Sequence, residues 1–310
     1  MIHEYVLYIL GRFLQMTVSL FVLITIVFFT THLSGDPVRL LLSINATREQ
    51  EENLRAYYGL DKPLYAQYVK YLWNLSRGDL GRSMTTDRRV AELIGQRISA
   101  SFQLVGSAMV VAVAIALPIG VYSAVRRGRR FDRLGMSLAV LGQSIPVFWM
   151  GLMLMLVFSV WLGLLPTSGR GGLRHVLLPA FVLGYSVAAG ILRLTRSSML
   201  EVLGQDYVKL ARAKGLSETT VIWKHAFRNA MLPVVTYFAI LCATLVAGTI
   251  VTETVFAWPG LGQLVIDGVT RRDIPLIQGL VLFIGSVVLM TNLIVDILYS
   301  HLDPKITYTQ

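Results

Sequence analysis

The sequence predicts an all-α membrane protein with six transmembrane helices, an ordered external helical loop and a cytoplasmic helix pair. Composition, recurring apolar runs and the placement of basic residues lead to this fold class. Hydrophobic residues make up 55% of the 310 positions and charged residues only 15%, whereas about 25% of a soluble domain is charged. Apolar runs of roughly 20 residues, the length that crosses a bilayer, recur along the chain.

The predicted spans follow these apolar runs. They cover residues 10–31, 101–125, 134–160, 176–195, 231–255 and 277–299. We expect the first span to be retained, because no small-residue cleavage site follows it. The chain then divides into a first span with its N-terminus (1–31), an external helical loop (32–100) and a five-span core (101–310).

The basic residues predict the orientation. Residues 126–133 hold five arginines and residues 193–228 hold seven basic residues, whereas 161–175 and 256–276 hold two each. Short connections rich in Lys and Arg stay in the cytoplasm. Both termini are therefore expected inside and the loop 32–100 outside. Topology then accounts for the net charge of +10, and no nucleic-acid partner is expected.

The external loop carries local helix signals. Thr47 and Gln50 fit a capping box, and Gly59 sits where a helix would stop. A second helix, about 62–76, shows tyrosines and a tryptophan of the kind found at membrane interfaces. The sequence leaves open whether these helices rest on the bilayer or gate a pathway.

Two features inside the apolar runs are candidates for function. Pro146 should free a backbone carbonyl near Gly142, which lipid tolerates only against protein or a water-lined cavity. Both residues are candidates for a pathway wall, with a packing kink as the alternative. Glu253 lies near the end of its span, where it could reach headgroups, cap a helix or relay protons.

Motifs of catalysis are missing from the sequence. It contains no phosphate-binding GxxxxGK[ST], no HExxH and no GxSxG. The five histidines are scattered and Cys242 is the single cysteine, so no metal-ligand spacing occurs. We expect a non-enzymatic protein without a metal or cofactor, whose energy comes from a partner.

One charged stretch, "QDYVKLARAKGLSETTVIWKH" (205–225), lies between two apolar runs. Gly215 ends a first helix and Ser217 caps a second, which predicts a compact helix pair outside the bilayer. Small residues at its tip would let another backbone approach closely. A basic helix lying on anionic lipid is the alternative.

This stretch resembles the coupling loop of ABC importer membrane subunits, whose pattern is Glu-Ala-Ala, three residues, then Gly. Ala211 and Gly215 match, while Lys209 and Leu210 replace the Glu and the first Ala. The whole chain is similar to the dipeptide/oligopeptide/nickel branch of these permeases. The matching segments are "SGDPVRLLL", "YGLDKPLYAQY", "GDLGRSM", "ARAKGLSE", "GTIVTETVFAWPGLGQLVIDGVTRRDIPLIQG" and "NLIVDILYSHLDPKI".

The resemblance implies one permease subunit of an ATP-driven importer in a bacterial inner membrane. Its partners would be a second permease chain, two ATP-binding subunits and an extracytoplasmic solute-binding protein, with membrane lipid around it. Small peptides, nickel or metal chelates, glutathione and opines are the solutes it implies. A secondary transporter or channel working without an ATPase is the alternative; it would show repeat symmetry around a midplane site.

The resemblance also implies two sets of site residues. The residues expected to contact the ATPase are Tyr207, Ala211, Arg212, Ala213, Lys214, Gly215 and Leu216. Those expected to structure an external mouth or gate are Glu253, Trp258, Pro259, Gly260 and Gly262, with Trp258 placed at the membrane interface.

Overall fold

The structure is a computed structural model that describes residues 2–33 and 47–302. Over these residues the backbone forms helices and no strand, apart from an isolated β-bridge between Arg82 and Arg89. They fall into two compact units. The first holds the described residues up to Ala100 together with Pro259–Met290. The second holds Ser101–Trp258 and the described residues from Thr291 onward.

The α-helices follow one another along the chain. They are α1 (Ile2–Leu33), α2 (Arg48–Tyr58), α3 (Leu64–Ser76), α4 (Val90–Val125), α5 (Arg130–Ser144), α6 (Val147–Met155), α7 (Leu173–Leu203), α8 (Asp206–Ala213), α9 (Glu218–Thr220), α10 (Arg228–Gly248), α11 (Ile250–Val255), α12 (Leu261–Thr270) and α13 (Ile274–Leu302). Two π-helical segments, Leu156–Trp161 and Val221–Phe227, continue α6 and α9.

Four helices of the described chain are long and apolar enough to cross a membrane. Their candidate spans are Ile9–Thr31, Val90–Val125, Leu173–Leu203 and Ile274–Ile297. They correspond to the predicted spans 10–31, 101–125, 176–195 and 277–299, which confirms an all-α membrane fold. The predicted span 231–255 falls on α10 and α11, which are not among these four. The count of six spans therefore stays a prediction.

The predicted span 134–160 is broken. Helix α5 ends at Ser144, and α6 starts at Val147 after a bend of 101°. Ile145 has an extended backbone (ψ 123°), as expected for a residue before proline. Pro146 is the N-cap of α6, a position where no intrahelical N–H bond is lost. The proline thus separates two helices, whereas the sequence predicted one continuous span over 134–160.

In the first unit, the predicted capping box is present. The Gln50 backbone N–H donates to Thr47 Oγ1 at 3.3 Å, and the Thr47 N–H donates to Gln50 Oε1 at 2.9 Å. Gly59 ends α2 in the left-handed conformation with φ +72°. The motif "SGDPVRLLL" lies outside the described residues, as does the last part of "NLIVDILYSHLDPKI".

Helix α3 packs part of its aromatic face on α1. Tyr68 shares a hydrogen bond of 2.7 Å with Thr25, and the Phe28 ring lies 5.0 Å from the Tyr68 ring and 5.5 Å from the Tyr71 ring. Tyr65 and Trp73 stay exposed. Only part of the predicted interfacial aromatic set is therefore free for lipid.

A buried carboxylate holds the loop before α4. Asp273 is fully buried and accepts hydrogen bonds from Ser83 Oγ at 2.6 Å and Thr85 Oγ1 at 2.8 Å. The backbone N–H groups of Met84, Thr85 and Leu276 donate to the same carboxylate. A buried charge with this many donors is well compensated, so Asp273 fixes the loop against the start of α13.

The core of the second unit is built from small side chains. Alanines of α4, α5 and α7 pack with Ile191, Leu192 and Val234. Gly184 of α7 approaches α4 so closely that a Cβ there would collide with the Ala108 carbonyl oxygen. Small residues at helix crossings allow this close approach in membrane proteins.

Candidate functional site

Residues 205–227 form the helix pair that the sequence predicts. Gln205 is the N-cap of α8, and Asp206 stands in its first turn. Gly215 follows the helix with φ +78°, a conformation that glycine adopts at no steric cost. Its N–H donates to the Arg212 carbonyl at 2.9 Å, which closes the turn.

The second arm begins at Ser217. Its side-chain oxygen accepts the Thr220 N–H at 3.3 Å, which confirms the predicted N-cap. The arm continues through the π-helical segment Val221–Phe227 directly into α10. We call residues 205–227 the hairpin. A displacement of the hairpin would therefore reach α7 through its first arm and α10 through its second.

The hairpin has its own small core. Val208, Ala211 and Val221 are buried together, and Val202 and Leu203 of α7 pack against them. Ala211 is only 6% exposed, so its side chain faces the partner arm of the hairpin. Of the residues predicted to contact an ATPase, it is the one whose side chain lies inside.

The other predicted contact residues form the outer face of the hairpin. Exposed side chains or backbone are found at Tyr207, Arg212, Ala213, Lys214, Gly215 and Leu216. A Cβ added at Gly215 would meet nothing within 4 Å. The tip is therefore open, and a change there alters no packing among the described residues.

Polar contacts fix the two arms. Arg212 Nε and Nη2 donate to the two Glu218 carboxylate oxygens at 2.8 and 3.3 Å. Asn229 Nδ2 donates to the Tyr207 hydroxyl at 2.8 Å. The hydrogen bond from Lys209 lowers the pKa of the fully exposed Asp206 carboxyl. The sequence did not single out Glu218 or Asn229 as partners, because their partners are 6 and 22 residues away.

Two of the predicted mouth residues, Glu253 and Trp258, lie in the second unit. Glu253 is fully buried, and its carboxylate accepts a hydrogen bond from Ser101 Oγ. It therefore does not reach the headgroups. The backbone N–H of Trp258 donates to the Glu253 carbonyl at 2.7 Å. The Trp258 ring is also fully buried, so it is not exposed at a membrane interface as predicted.

The remaining mouth residues lie in the first unit. Gly260 is the N-cap of α12 and has extended backbone, and Gly262 is buried in its first turn. Pro259 precedes them and is partly buried. The proline and glycines thus start a new helix, as the sequence-based picture of a sharp turn requires.

The pathway-wall candidates stand at the break between α5 and α6. A Cβ at Gly142 would lie 2.9 Å from the Tyr185 ring, so glycine is needed for this contact. Tyr185 also donates its hydroxyl to the Leu138 carbonyl at 2.9 Å. Pro146 is exposed at the bend. Gly142 therefore serves helix packing, and the wall assignment stays a prediction.

An ion pair that the sequence did not indicate joins the arginine-rich turn to α7. Arg196 donates from Nε and Nη2 to the Asp132 carboxylate at 2.6 and 2.8 Å. Asp132 is the single acid in "RRGRRFDR". A single acid among five arginines suggests an ion pair, but the sequence does not show the partner because it is 64 residues away.

Comparison with known proteins identifies the family. Residues 116–308 match the family described as "Binding-protein-dependent transport system inner membrane component". Residues 5–105 match the N-terminal membrane component of the same systems. Together the two matches cover most of the chain.

Two curated relatives match over nearly their whole length. The glutathione transport system permease protein GsiC of Salmonella paratyphi A is 44% identical over 302 residues, covering 97% of this chain and 99% of the relative. The dipeptide transport system permease protein DppB of Escherichia coli K12 is 41% identical over 331 residues, covering 96% and 98%.

Solved structures show the same fold. A chain of the MetNI methionine ABC transporter, in inward-facing conformations, aligns with a TM-score of 0.58 at 18% identity. The alignment covers 68% of this chain and 96% of that one. An amino acid ABC transporter chain aligns with a TM-score of 0.52 at 13% identity. The chain therefore belongs to the binding-protein-dependent transport system inner membrane component family, as a permease of an ABC importer in the branch that contains the glutathione and dipeptide permeases.

Proposed function

We propose that this permease forms half of the pathway of an importer for small peptides, glutathione included. The support is the similarity to a glutathione permease and a dipeptide permease over almost the full length of all three chains. Both solutes are short peptides that carry charged groups at each end. The nickel, metal-chelate and opine solutes of the wider branch have no comparable support.

The proposed complex contains a second permease chain, two ATP-binding subunits and an extracytoplasmic binding protein. The permease itself is the non-catalytic part, and ATP hydrolysis belongs to the ATP-binding subunits. The arginine-rich turn and the hairpin face the cytoplasm in this proposal, and both termini lie on the same side. The asymmetry of basic residues among the short connections supports this orientation.

The hairpin is the proposed docking element for the ATPase. The observation that carries this is the open tip at Gly215, where a Cβ would meet nothing, on a hairpin braced by the buried contact of Val208, Ala211 and Val221 between its arms. A braced element with an open tip can enter a socket and move as a rigid body. Closure of the ATPase pair would then displace α7 and α10 together and open the pathway outward.

The mouth residues have a supporting role in the same proposal. Glu253 and Trp258 are fully buried and connected through the backbone hydrogen bond between them. They would hold the outer end of α11 in shape while Pro259, Gly260 and Gly262 begin α12. A buried, hydrogen-bonded turn of this kind keeps its shape during motion.

The test is Gly215→Asp, assayed in the complete transporter. The charged side chain should lower ATPase docking at least roughly tenfold, because an overpacked or unsatisfied group in a contact costs about 1–3 kcal/mol. Permease abundance should stay normal. ATPase co-purification and uptake of a radiolabelled dipeptide are measured, with unlabelled glutathione as competitor.

The matched control is Gly78→Asp. Gly78 also has positive φ (+74°), and a Cβ there would also meet nothing within 4 Å. Both substitutions carry the same backbone strain, so a difference between them reports the partner contact. Full uptake and normal ATPase recovery in the Gly215 variant would contradict docking at the tip. The alternative is a helix bound to lipid. It would be favoured if the hairpin left the membrane surface only when Lys209, Arg212 and Lys214 were all changed to Gln.

A further inference from the structure

The turn between α4 and α5 presents a cluster of exposed cations. The side chains of Arg126, Arg127, Arg129 and Arg130 are exposed and make no ion pair or hydrogen bond to any other described residue. Four exposed guanidinium groups within five positions create a positive local potential that attracts an anion. The proposed function uses this turn only as an orientation signal, so its ligand is unassigned.

The turn is held in one shape. The buried Asp132 carboxylate accepts the Gly128 N–H at 2.9 Å and both Arg196 hydrogen bonds. Gly128 adopts φ +77°, which lets the chain reverse within the turn. The arginines therefore project from a fixed backbone, which lowers the entropy lost when they bind a ligand.

An exposed apolar face begins directly beside the arginines. Along α5 the outward side chains are Phe131, Leu134, Leu138 and Leu141, between 40% and 64% exposed. Tyr122 of α4 meets Phe131 edge-on, with ring centroids 6.2 Å apart. The opposite face of α5 is buried in the second unit. Helix α5 thus places a continuous apolar stripe under a cationic head.

The length of this stripe matches one leaflet of a bilayer. Phe131 and Leu141 are ten positions apart, which at a rise of 1.5 Å per residue spans about 15 Å. This is half of the ~30 Å hydrocarbon core. A ligand that fills the site needs an anionic head and an apolar tail of roughly this length.

We propose that this surface is a binding site for an anionic diacyl phospholipid. Guanidinium forks of the turn bind the phosphate oxygens, and an acyl chain lies along Phe131, Leu134 and Leu138. A protein partner covering the stripe is the competing occupant. The cluster of exposed positive charge at the head of the stripe, and the leaflet length of the stripe, favour the lipid. The site does not depend on which solute is carried.

The test measures lipid retention on the complete transporter. Purified, delipidated complex is titrated with phosphatidylglycerol or phosphatidylcholine and examined by native mass spectrometry. The double substitution Arg126→Gln with Arg127→Gln should weaken phosphatidylglycerol binding about 30-fold, since each basic residue near an anionic surface contributes roughly fivefold. Lysine at both positions should keep binding within about threefold, because the charge remains and only the planar fork is lost.

Two further double variants test the position of the charge and the contact with the acyl chain. Arg88→Gln with Arg271→Gln removes the same charge from exposed arginines elsewhere and should leave retention unchanged. Leu134→Ser with Leu138→Ser keeps the arginines but removes the tail contact, and should weaken phosphatidylglycerol roughly tenfold. Equal losses in the Arg126/Arg127 pair and the Arg88/Arg271 pair would overturn the site.

Other outcomes would also overturn it. If sn-glycerol 3-phosphate bound as tightly as the lipid, the turn would be a site for a free anion. If phosphatidylcholine bound as tightly as phosphatidylglycerol, the arginines would not be recognising an anionic headgroup. If the isolated chain retained the lipid but the complete transporter excluded it, the stripe would be a contact surface for another subunit.

Discussion

The Asp132 carboxylate and the Arg196 guanidinium form a two-pronged ion pair, with hydrogen bonds of 2.6 and 2.8 Å. The pair joins the first turn of α5 to the last third of α7. The Asp132 side chain is 6% exposed and that of Arg196 is 23% exposed. Solvent therefore screens this ion pair poorly. The pair ties the arginine-rich turn to α7, the helix that leads into the hairpin.

Asp132→Asn should destabilise the folded permease by roughly 3 kcal/mol, because the partly buried Arg196 loses its counter-charge. The variant should show a lower midpoint in a thermal unfolding assay of the detergent-solubilised protein. Changing both partners, Asp132→Asn with Arg196→Gln, should cost less than the single change, since no unpaired charge remains.

The control for this prediction is Asp206→Asn. Asp206 also forms an ion pair, with Lys209 at 2.9 Å, but its side chain is 97% exposed. Exposed pairs contribute little to stability, so the midpoint should not move. Equal shifts in the two variants would show that burial is not what gives the Asp132 pair its strength.

Helix packing gives a second prediction. Gly184→Ala should force α7 away from α4, since the new methyl group would collide with the Ala108 carbonyl oxygen. Backbone atoms cannot turn aside as a side chain can, so the expected cost is about 1–3 kcal/mol. The amount of monodisperse permease recovered by size-exclusion chromatography should fall.

Gly106→Ala is the matched change on α4. A Cβ at Gly106 meets nothing within 4 Å, and alanine is the better helix former in water. Recovery of this variant should equal that of the unchanged chain. A similar fall in both would point to a general effect of removing glycine, and not to the helix crossing.

Local signals in the sequence predicted local structure well. The Thr47–Gln50 capping box, the Gly59 helix end, the left-handed Gly215 and the Ser217 cap all involve residues within a few positions of one another. Each needs only a short stretch of chain to be satisfied. The two arms of the hairpin and the turn between them therefore follow from the sequence alone.

Features set by distant contacts do not follow from the sequence in the same way. Helix α4 starts at Val90, well before the predicted span, because Val90 and Ile94 pack with residues of α12 and α13. The inward position of Ala211 depends on Val221, on the other arm. The burial of Trp258 contradicts an interfacial role that its residue type favours. In each case tertiary packing overrides a local preference.

Orientation gives a third prediction. Reporter fusions at Asp61 and Arg170 should read as external, and those at Arg129 and Gln205 as cytoplasmic, because the arginine-rich connections stay inside. Paired alkaline phosphatase and green fluorescent protein fusions give opposite signals at each position. A cytoplasmic reading at Asp61 would place the loop 32–100 on the wrong side and overturn the proposed orientation.

The last prediction separates the inside of the hairpin from its outer face. Ala211 is buried against Val208 and Val221, whereas Ala213 is exposed beside the open tip. Ala211→Leu should overpack the hairpin by about 1–3 kcal/mol. The loosened backbone around Lys209 and Arg212, whose side chains are already exposed, should then be cleaved faster in limited trypsin digestion. Ala213→Leu should leave that digestion unchanged.

The two variants should differ again when the ATPase is added. Ala213→Leu should weaken ATPase co-purification, because the larger side chain stands on the proposed contact face. Ala211→Leu should weaken it only through distortion. A compensating Val221→Ala removes two of the three added carbon atoms and should therefore largely restore both trypsin resistance and co-purification. If Val221→Ala restores trypsin resistance but not co-purification, then Ala211 itself meets the ATPase, and the division between an inner core and an outer docking face is wrong.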